Sequence, residues 1–128
     1  YPGVETLLQS LKQQGHTLYV ATSKPEEMSV KILEHFGLAK YFDRICGASM
    51  DTSRSSKEDV IAYLLSLCGR DENILMVGDT KFDILGAAAH GIPAIGVAWG
   101  YGRVEDMEAA GAKAIARSME ELLALLNS

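Results

Sequence analysis

An α/β domain with a mostly parallel, doubly wound sheet and helices on both faces is the fold class that this sequence predicts. Three observations predict it. Short apolar runs alternate with amphipathic helical patterns, Gly or a polar cluster punctuates the alternation, and no repeat, low-complexity tract or interdomain linker interrupts it. Five strands are expected, joined by right-handed crossovers, with ligands bound beyond the carboxyl ends of the strands.

Each element has its own signal. Val4, Leu7, Leu8 and Leu11 recur at helical spacing, with a stop at Gly15, and Thr17 to Thr22 reads as the first strand. Pro25 suits the first turn of the next helix, whose Met28, Ile32, Leu33 and Phe36 form one apolar face ended by Gly37. A turn through Tyr41, Phe42 and Asp43 leads to a second strand from Arg44 to Ala48. Ser56 with Asp59 resembles a capping box opening a helix that turns Val60, Ile61, Leu64 and Leu65 inward and stops at Gly69. Ile74 to Val77, closed by Gly78, predicts a third strand buried on both faces, followed by a helix from near Phe82 to Gly91. Ala94 to Ala98 is a fourth strand, trailed by a Gly-rich loop and a helix from about Val104 to Ala110. Lys113 to Ala116 is a short fifth strand, and Ser118 with Glu121 caps a last helix carrying Leu122, Leu123, Leu125 and Leu126.

Composition narrows the function classes. With 128 residues and 48% hydrophobic content, the chain reads as one domain with material for a real core. A net charge of −5 and a pI near 5.1 argue against broad binding of nucleic acid or anionic membrane, so a small molecule is the expected partner. Cys46 and Cys68 form no CxxC pair and read as reduced thiols, which with the lack of a signal peptide or of a ~20-residue apolar span predicts a cytoplasmic protein.

The residues just after each strand carry the chemistry. They are Thr22-Ser23-Lys24, the loop from Ser49 to Lys57, Gly78-Asp79-Thr80, and Trp99-Gly100-Tyr101-Gly102-Arg103. Asp79 on a turn and Asp83 one helical turn later are spaced to face one cation; the plainer reading is a Gly-Asp turn with Asp83 favouring the helix dipole. Lys57 at a helix start opposes the dipole, a local mismatch that points to a use other than helix stability. Thr22 and Ser23 have the plain alternative of ending a strand and capping a helix.

Taken together, Val20-Ala21-Thr22-Ser23-Lys24-Pro25, Lys57 heading a helix, and Gly78-Asp79-Thr80-Lys81-Phe82-Asp83-Ile84 resemble the haloacid dehalogenase superfamily of phosphohydrolases. Pro2-Gly3-Val4, Gly86-Ala87-Ala88, Gly91-Ile92 and Gly96-Val97-Ala98-Trp99-Gly100-Tyr101-Gly102 are similar to its phosphoglycolate phosphatase-like branch, so the likeness covers nearly the whole chain. The resemblance implies a Rossmann-like core and Mg²⁺-dependent hydrolysis of a small phosphorylated metabolite. It implies that Thr22, Lys57, Asp79 and Asp83 are catalytic, that Thr22, Ser23, Lys24 and Lys57 bind phosphate, and that Asp79 and Asp83 bind the metal directly or orient its ligands.

One departure stands out. The family's first motif, an Asp-x-Asp pair supplying the nucleophile and the general acid, occurs nowhere in the 128 residues. The helical cap that follows it in the family is also missing. Residues 1–128 are therefore expected to be the C-terminal part of a hydrolase core, inactive and poorly soluble alone. The absent strand belongs in the family between the strands ending at Thr22 and Gly78, where its loss would open a slot of about 10 Å lined by unpaired backbone. Two other classes stay open. One is a non-catalytic phosphate- and metal-binding module derived from the same fold. The other is a receiver-like domain, disfavoured because Thr22-Ser23 stands where its acidic pair should be.

Overall fold

The computed structural model describes residues 3–49, 54, 56–68, 74–100 and 102–127, and it divides into two compact units meeting in sequence at Gly69 and Arg70. The first unit runs α1 (Val4–Gln13), β1 (Tyr19–Pro25), α2 (Glu26–His35), a 3₁₀ turn (Ala39–Tyr41), β2 (Arg44–Ala48) and α3 (Lys57–Cys68). The second runs β3 (Met76–Gly78), α4 (Lys81–Ala89), β4 (Ala94–Val97), α5 (Val104–Ala109), β5 (Ala114–Ala116) and α6 (Met119–Leu126). Alternation of strand and helix thus holds throughout. Pro2, Gly69 and Tyr101, together with most of the loop between Ser49 and Ser56, lie outside the described residues.

In the first unit β1 pairs with β2 in parallel, from Tyr19 against Arg44 to Ala21 against Cys46. Pairing then slips, and Pro25 stands opposite Ala48, so the stretch through Thr22, Ser23 and Lys24 bulges out of the ladder. The first strand therefore runs later than the predicted Thr17 to Thr22. It starts where pairing to Arg44 begins and ends with Pro25, which is extended (φ −56°, ψ 134°) and stands before the helix rather than in its first turn.

Helix α2 also departs from expectation. Met28, Ile32 and Phe36 are exposed, whereas Ser29 is buried and Leu33 half-buried. The helix packs on both β1 and β2, and its start lies hard against Gly47, so a small side chain faces the sheet there. The Ser29 hydroxyl donates to the Pro25 carbonyl at 3.1 Å, which satisfies the buried group. Helix α3 follows the predicted pattern. Val60 and Ile61 are buried against the sheet, and both halves of the capping box form: Asp59 N–H donates to Ser56 Oγ at 3.1 Å and Ser56 N–H to the Asp59 carboxylate at 3.5 Å.

The second unit carries a three-stranded parallel sheet in the order β3-β4-β5. Central β4 is buried along its whole length, between α4 and α5 in the packing of the unit, and Ile84, Ala87, Ile95, Val97, Met107, Ala116 and Leu122 make the core. Ser118 caps α6 by accepting from the N–H of Glu121 at 3.1 Å. Strand β3, expected to be buried on both faces, leaves Val77 37% exposed. Its only partner among the described residues is β4, so it is an edge strand. The same holds for β1, whose only described partner is β2. The two strands predicted to flank an absent neighbour are both edges. No described helix is long and apolar enough to cross a membrane.

Candidate functional site

Two strand-to-helix turns carry the predicted site residues, one in each unit. In the first, the bulge after Ala21 presents Thr22, half-buried, and Ser23 and Lys24, both exposed. Thr22 Oγ1 accepts the N–H of Lys24 at 3.1 Å. That leaves the hydroxyl proton as the donor this side chain can offer. Helix α2 begins two residues after Lys24, at Glu26, and the Lys24 N–H is turned onto Thr22.

Lys57 reaches the same turn from 36 residues away. Its Nζ donates to the carbonyl of Ala21 at 2.9 Å, and that carbonyl is peptide-bonded to Thr22. A half-buried lysine at the first position of α3 thus delivers its charge to β1 just before the bulge at Thr22. Lys57 Nζ is thus bound to the peptide group that precedes Thr22.

The second turn is built around Asp83. The residue is only 6% exposed, and its Oδ2 accepts from Asp79 N–H at 3.0 Å, Thr80 N–H at 3.2 Å and the Thr80 hydroxyl at 3.3 Å. Thr80 is the N-cap of α4 and Asp83 the third residue of the helix, so the carboxylate ties down donors that a helix start leaves open. Gly78 makes this possible, because a Cβ there would run into the Asp83 side chain. Asp83 thereby fixes the backbone that carries Asp79.

Asp79 is held from the other side by the loop after β4. Gly102 N–H donates to the Asp79 carbonyl at 2.8 Å, and a Cβ on Gly100 would overlap the Asp79 side chain. The Gly-rich loop after β4 is thus a cradle for the aspartate. Oxygen donors on a backbone braced from two sides suit a hard cation such as Mg²⁺, which takes one or two carboxylates and keeps several waters. Among the described residues no three Asp, Glu, His or Cys side chains gather as a set that could hold a metal ion.

Sequence reasoning missed Glu26, Gly47 and Arg54. Arg54 Nε donates to the Gly47 carbonyl at 2.8 Å, its Nη2 to Glu26 Oε1 at 3.3 Å, and its guanidinium lies 3.8 Å from the centroid of the Tyr63 ring. Glu26 Oε1 also accepts the Gly47 N–H at 3.1 Å. Nothing in local spacing marks these residues, since they join three elements separated by up to 28 positions.

Residues 1–97 match the family model described as haloacid dehalogenase-like hydrolase. The tyrosine-protein kinase PtkA of Mycobacterium tuberculosis is 48% identical over 106 residues, which is 82% of this chain and 36% of that protein. A phosphoglycolate phosphatase of Vibrio parahaemolyticus is 34% identical over 124 residues, 96% of this chain and 54% of that protein. The crystal structure of a predicted phosphatase from Clostridium acetobutylicum superposes with a TM-score of 0.95 at 47% identity, covering 99% of this chain and 59% of the other. The chain thus spans between a third and about three-fifths of the length of these relatives.

Proposed function

We propose, because this chain belongs to the haloacid dehalogenase-like hydrolase family, that the whole protein is a Mg²⁺-dependent phosphomonoester hydrolase of the cytoplasm. Its substrate in this reading is a small phosphorylated metabolite, and the nucleophile and cap come from protein outside residues 1–128. A carboxylate oxygen attacks phosphorus, the bond from phosphorus to the ester oxygen breaks, and the alcohol leaves with a proton. Water then cleaves the acyl phosphate, restoring the carboxylate and releasing inorganic phosphate.

The roles assigned to this chain follow from its two turns. Thr22 donates its hydroxyl proton to a phosphoryl oxygen, and Ser23 and Lys24 line the same bulge. The Lys57 ammonium offsets charge on the phosphoryl group and on the attacking carboxylate. Asp79 supplies an oxygen to the metal, and Asp83 holds Asp79 in place. Bound Mg²⁺ would polarise the phosphoryl oxygens and orient the group for in-line attack.

The observation that carries the reading is the bond from Lys57 Nζ to the Ala21 carbonyl, because it brings a cation to a strand end already bearing a hydroxyl donor. Phosphate release from an aryl phosphate by the whole protein, with and without Mg²⁺, tests it. Lys57→Ala and Asp79→Asn should each lower kcat by about 10²–10³, the usual loss for one transition-state contact. Rates equal to that of the unaltered protein in both variants would remove the two residues from the site, and absence of any activity in the unaltered protein would favour a non-catalytic module.

The 48% identity to PtkA supports a second reading, in which the phosphoryl group passes to a protein tyrosine instead of water. Incubation with labelled ATP and a tyrosine-containing protein separates the two, since only the kinase reading predicts label on tyrosine.

A further inference from the structure

Around the bulge at the end of β1 lies a second layer of contacts that neither the hydrolase nor the kinase reading uses. Gly47 stands so close to the turn that a Cβ would come within 2.6 Å of the Lys24 carbonyl oxygen and 2.7 Å of Glu26 Cα. The turn therefore rests directly on the backbone of β2. Two side chains lock that seat. Glu26, the first residue of α2, accepts the Gly47 N–H at 3.1 Å, and Arg54 spans both the Gly47 carbonyl at 2.8 Å and Glu26 at 3.3 Å.

Arg54 is itself held on every side. Tyr63 of α3 lies under its guanidinium, 3.8 Å from the ring centroid. Its backbone is fixed to Ser49: Ser49 N–H donates to the Arg54 carbonyl at 2.8 Å and Arg54 N–H donates to Ser49 Oγ at 3.0 Å. The side chain is 19% exposed and forms an ion pair with Glu26. It stands three positions before Lys57, which bonds the other end of the same turn at Ala21. Arg54 and Lys57 thus grip the Ala21–Glu26 segment, one at each end.

We propose that Arg54 is a positioning residue: acting through Glu26 and Gly47, it holds the Thr22–Pro25 turn in the shape that aims the Thr22 hydroxyl, and it ties that shape to the placement of Lys57. A planar fork does this better than an ammonium, because two directed N–H bonds and a flat face on Tyr63 fix three elements at once. The ligand that the turn serves, a phosphoryl group, rests on the proposed function; the mechanical role of Arg54 does not.

Hydrogen exchange read by mass spectrometry on the whole protein tests the role directly. In Arg54→Met, peptides covering residues 21–26 should exchange about tenfold faster or more, as loss of bonds to a charged group allows, while peptides over α4 and β4 keep their rates. Arg54→Lys keeps the charge without the fork and should give an intermediate effect confined to the same segment. In parallel, inorganic phosphate should inhibit Arg54→Met about tenfold less strongly, with a smaller change in melting temperature than Val60→Ala produces.

Unchanged exchange at residues 21–26 in both variants overturns the proposal. So does uniform loss of protection across the first unit in both, which would mark Arg54 as a general structural residue. If the unaltered protein neither releases nor binds phosphate, the hydrolase reading fails on that arm alone, and the exchange result still decides the role of Arg54.

Discussion

The turn after β1 and the turn after β3 do the same architectural job by opposite means. After β3, Asp79 is braced by the Gly-rich loop and, from four residues away, by Asp83, which at the start of the very helix the turn feeds collects Asp79 N–H, Thr80 N–H and the Thr80 hydroxyl. In the bulged last residues of β1, Lys24 N–H bonds Thr22 and the Ser29 hydroxyl bonds the Pro25 carbonyl, but Gly47, Arg54 and Lys57 hold the segment from more than twenty positions away. The difference teaches where each half is vulnerable. The β3 turn depends on its own helix cap, whereas the β1 turn depends on β2 and α3 keeping their seats.

The glycines under the two turns sharpen the contrast most. A Cβ at Gly47 would press on backbone atoms of Lys24 and Glu26, which can move only if the strand and helix move. Gly47→Ala should therefore destabilise the whole protein by about 1–3 kcal/mol and loosen the β1 turn, as overpacking against backbone does. A Cβ at Gly78 would press on a side chain, that of Asp83. Because the Asp83 Cβ moves only with the backbone of α4, Gly78→Ala should also destabilise the protein, and by displacing Asp83 it should in addition raise the Mg²⁺ requirement, which Gly47→Ala should leave unchanged. Equal effects of the two substitutions on both readouts would break the comparison.

A smaller effect is expected at Asp83 itself. Asp83→Asn keeps an oxygen to accept the N–H groups of Asp79 and Thr80 but gives up the charge, which should cost about 1 kcal/mol in thermal unfolding, the usual worth of a weakened hydrogen bond. Its activity loss should be milder than that of Asp79→Asn, because a residue that positions a ligand is replaced, not the ligand. A loss as large as that of Asp79→Asn would mean that Asp83 contacts the metal directly.

The smallest effects lie at the caps remote from both turns. Ser118→Ala removes the acceptor for Glu121 N–H and should lower stability by about 1 kcal/mol with no change in activity.

What the sequence made legible follows the same division. The Ser56 and Ser118 caps and the alternation of strand and helix were readable, because each signal lies within a few residues of what it controls. Asp83 as brace of the Asp79 turn was one of the readings its spacing allowed. By contrast, the exposed stripe of Met28, Ile32 and Phe36 was read as a buried face, since helical spacing reports that residues share a side but not which side meets the sheet. Ser29 is buried in that place, its hydroxyl satisfied by the Pro25 carbonyl. Arg54 was invisible for a related reason: its partners Gly47, Glu26 and Tyr63 are brought together only by β2 and α3 packing on β1.

The central claim is that Thr22 and Lys57 grip a phosphoryl group while Asp79 serves its metal. A crystal structure of the whole protein grown with Mg²⁺ and a phosphate analogue such as orthovanadate tests it most directly. The account predicts the anion within hydrogen-bonding distance of Thr22 Oγ1 and Lys57 Nζ, with the cation on an Asp79 oxygen. An anion seated elsewhere, with Lys57 still bound to the Ala21 carbonyl and Asp79 without metal, would contradict it.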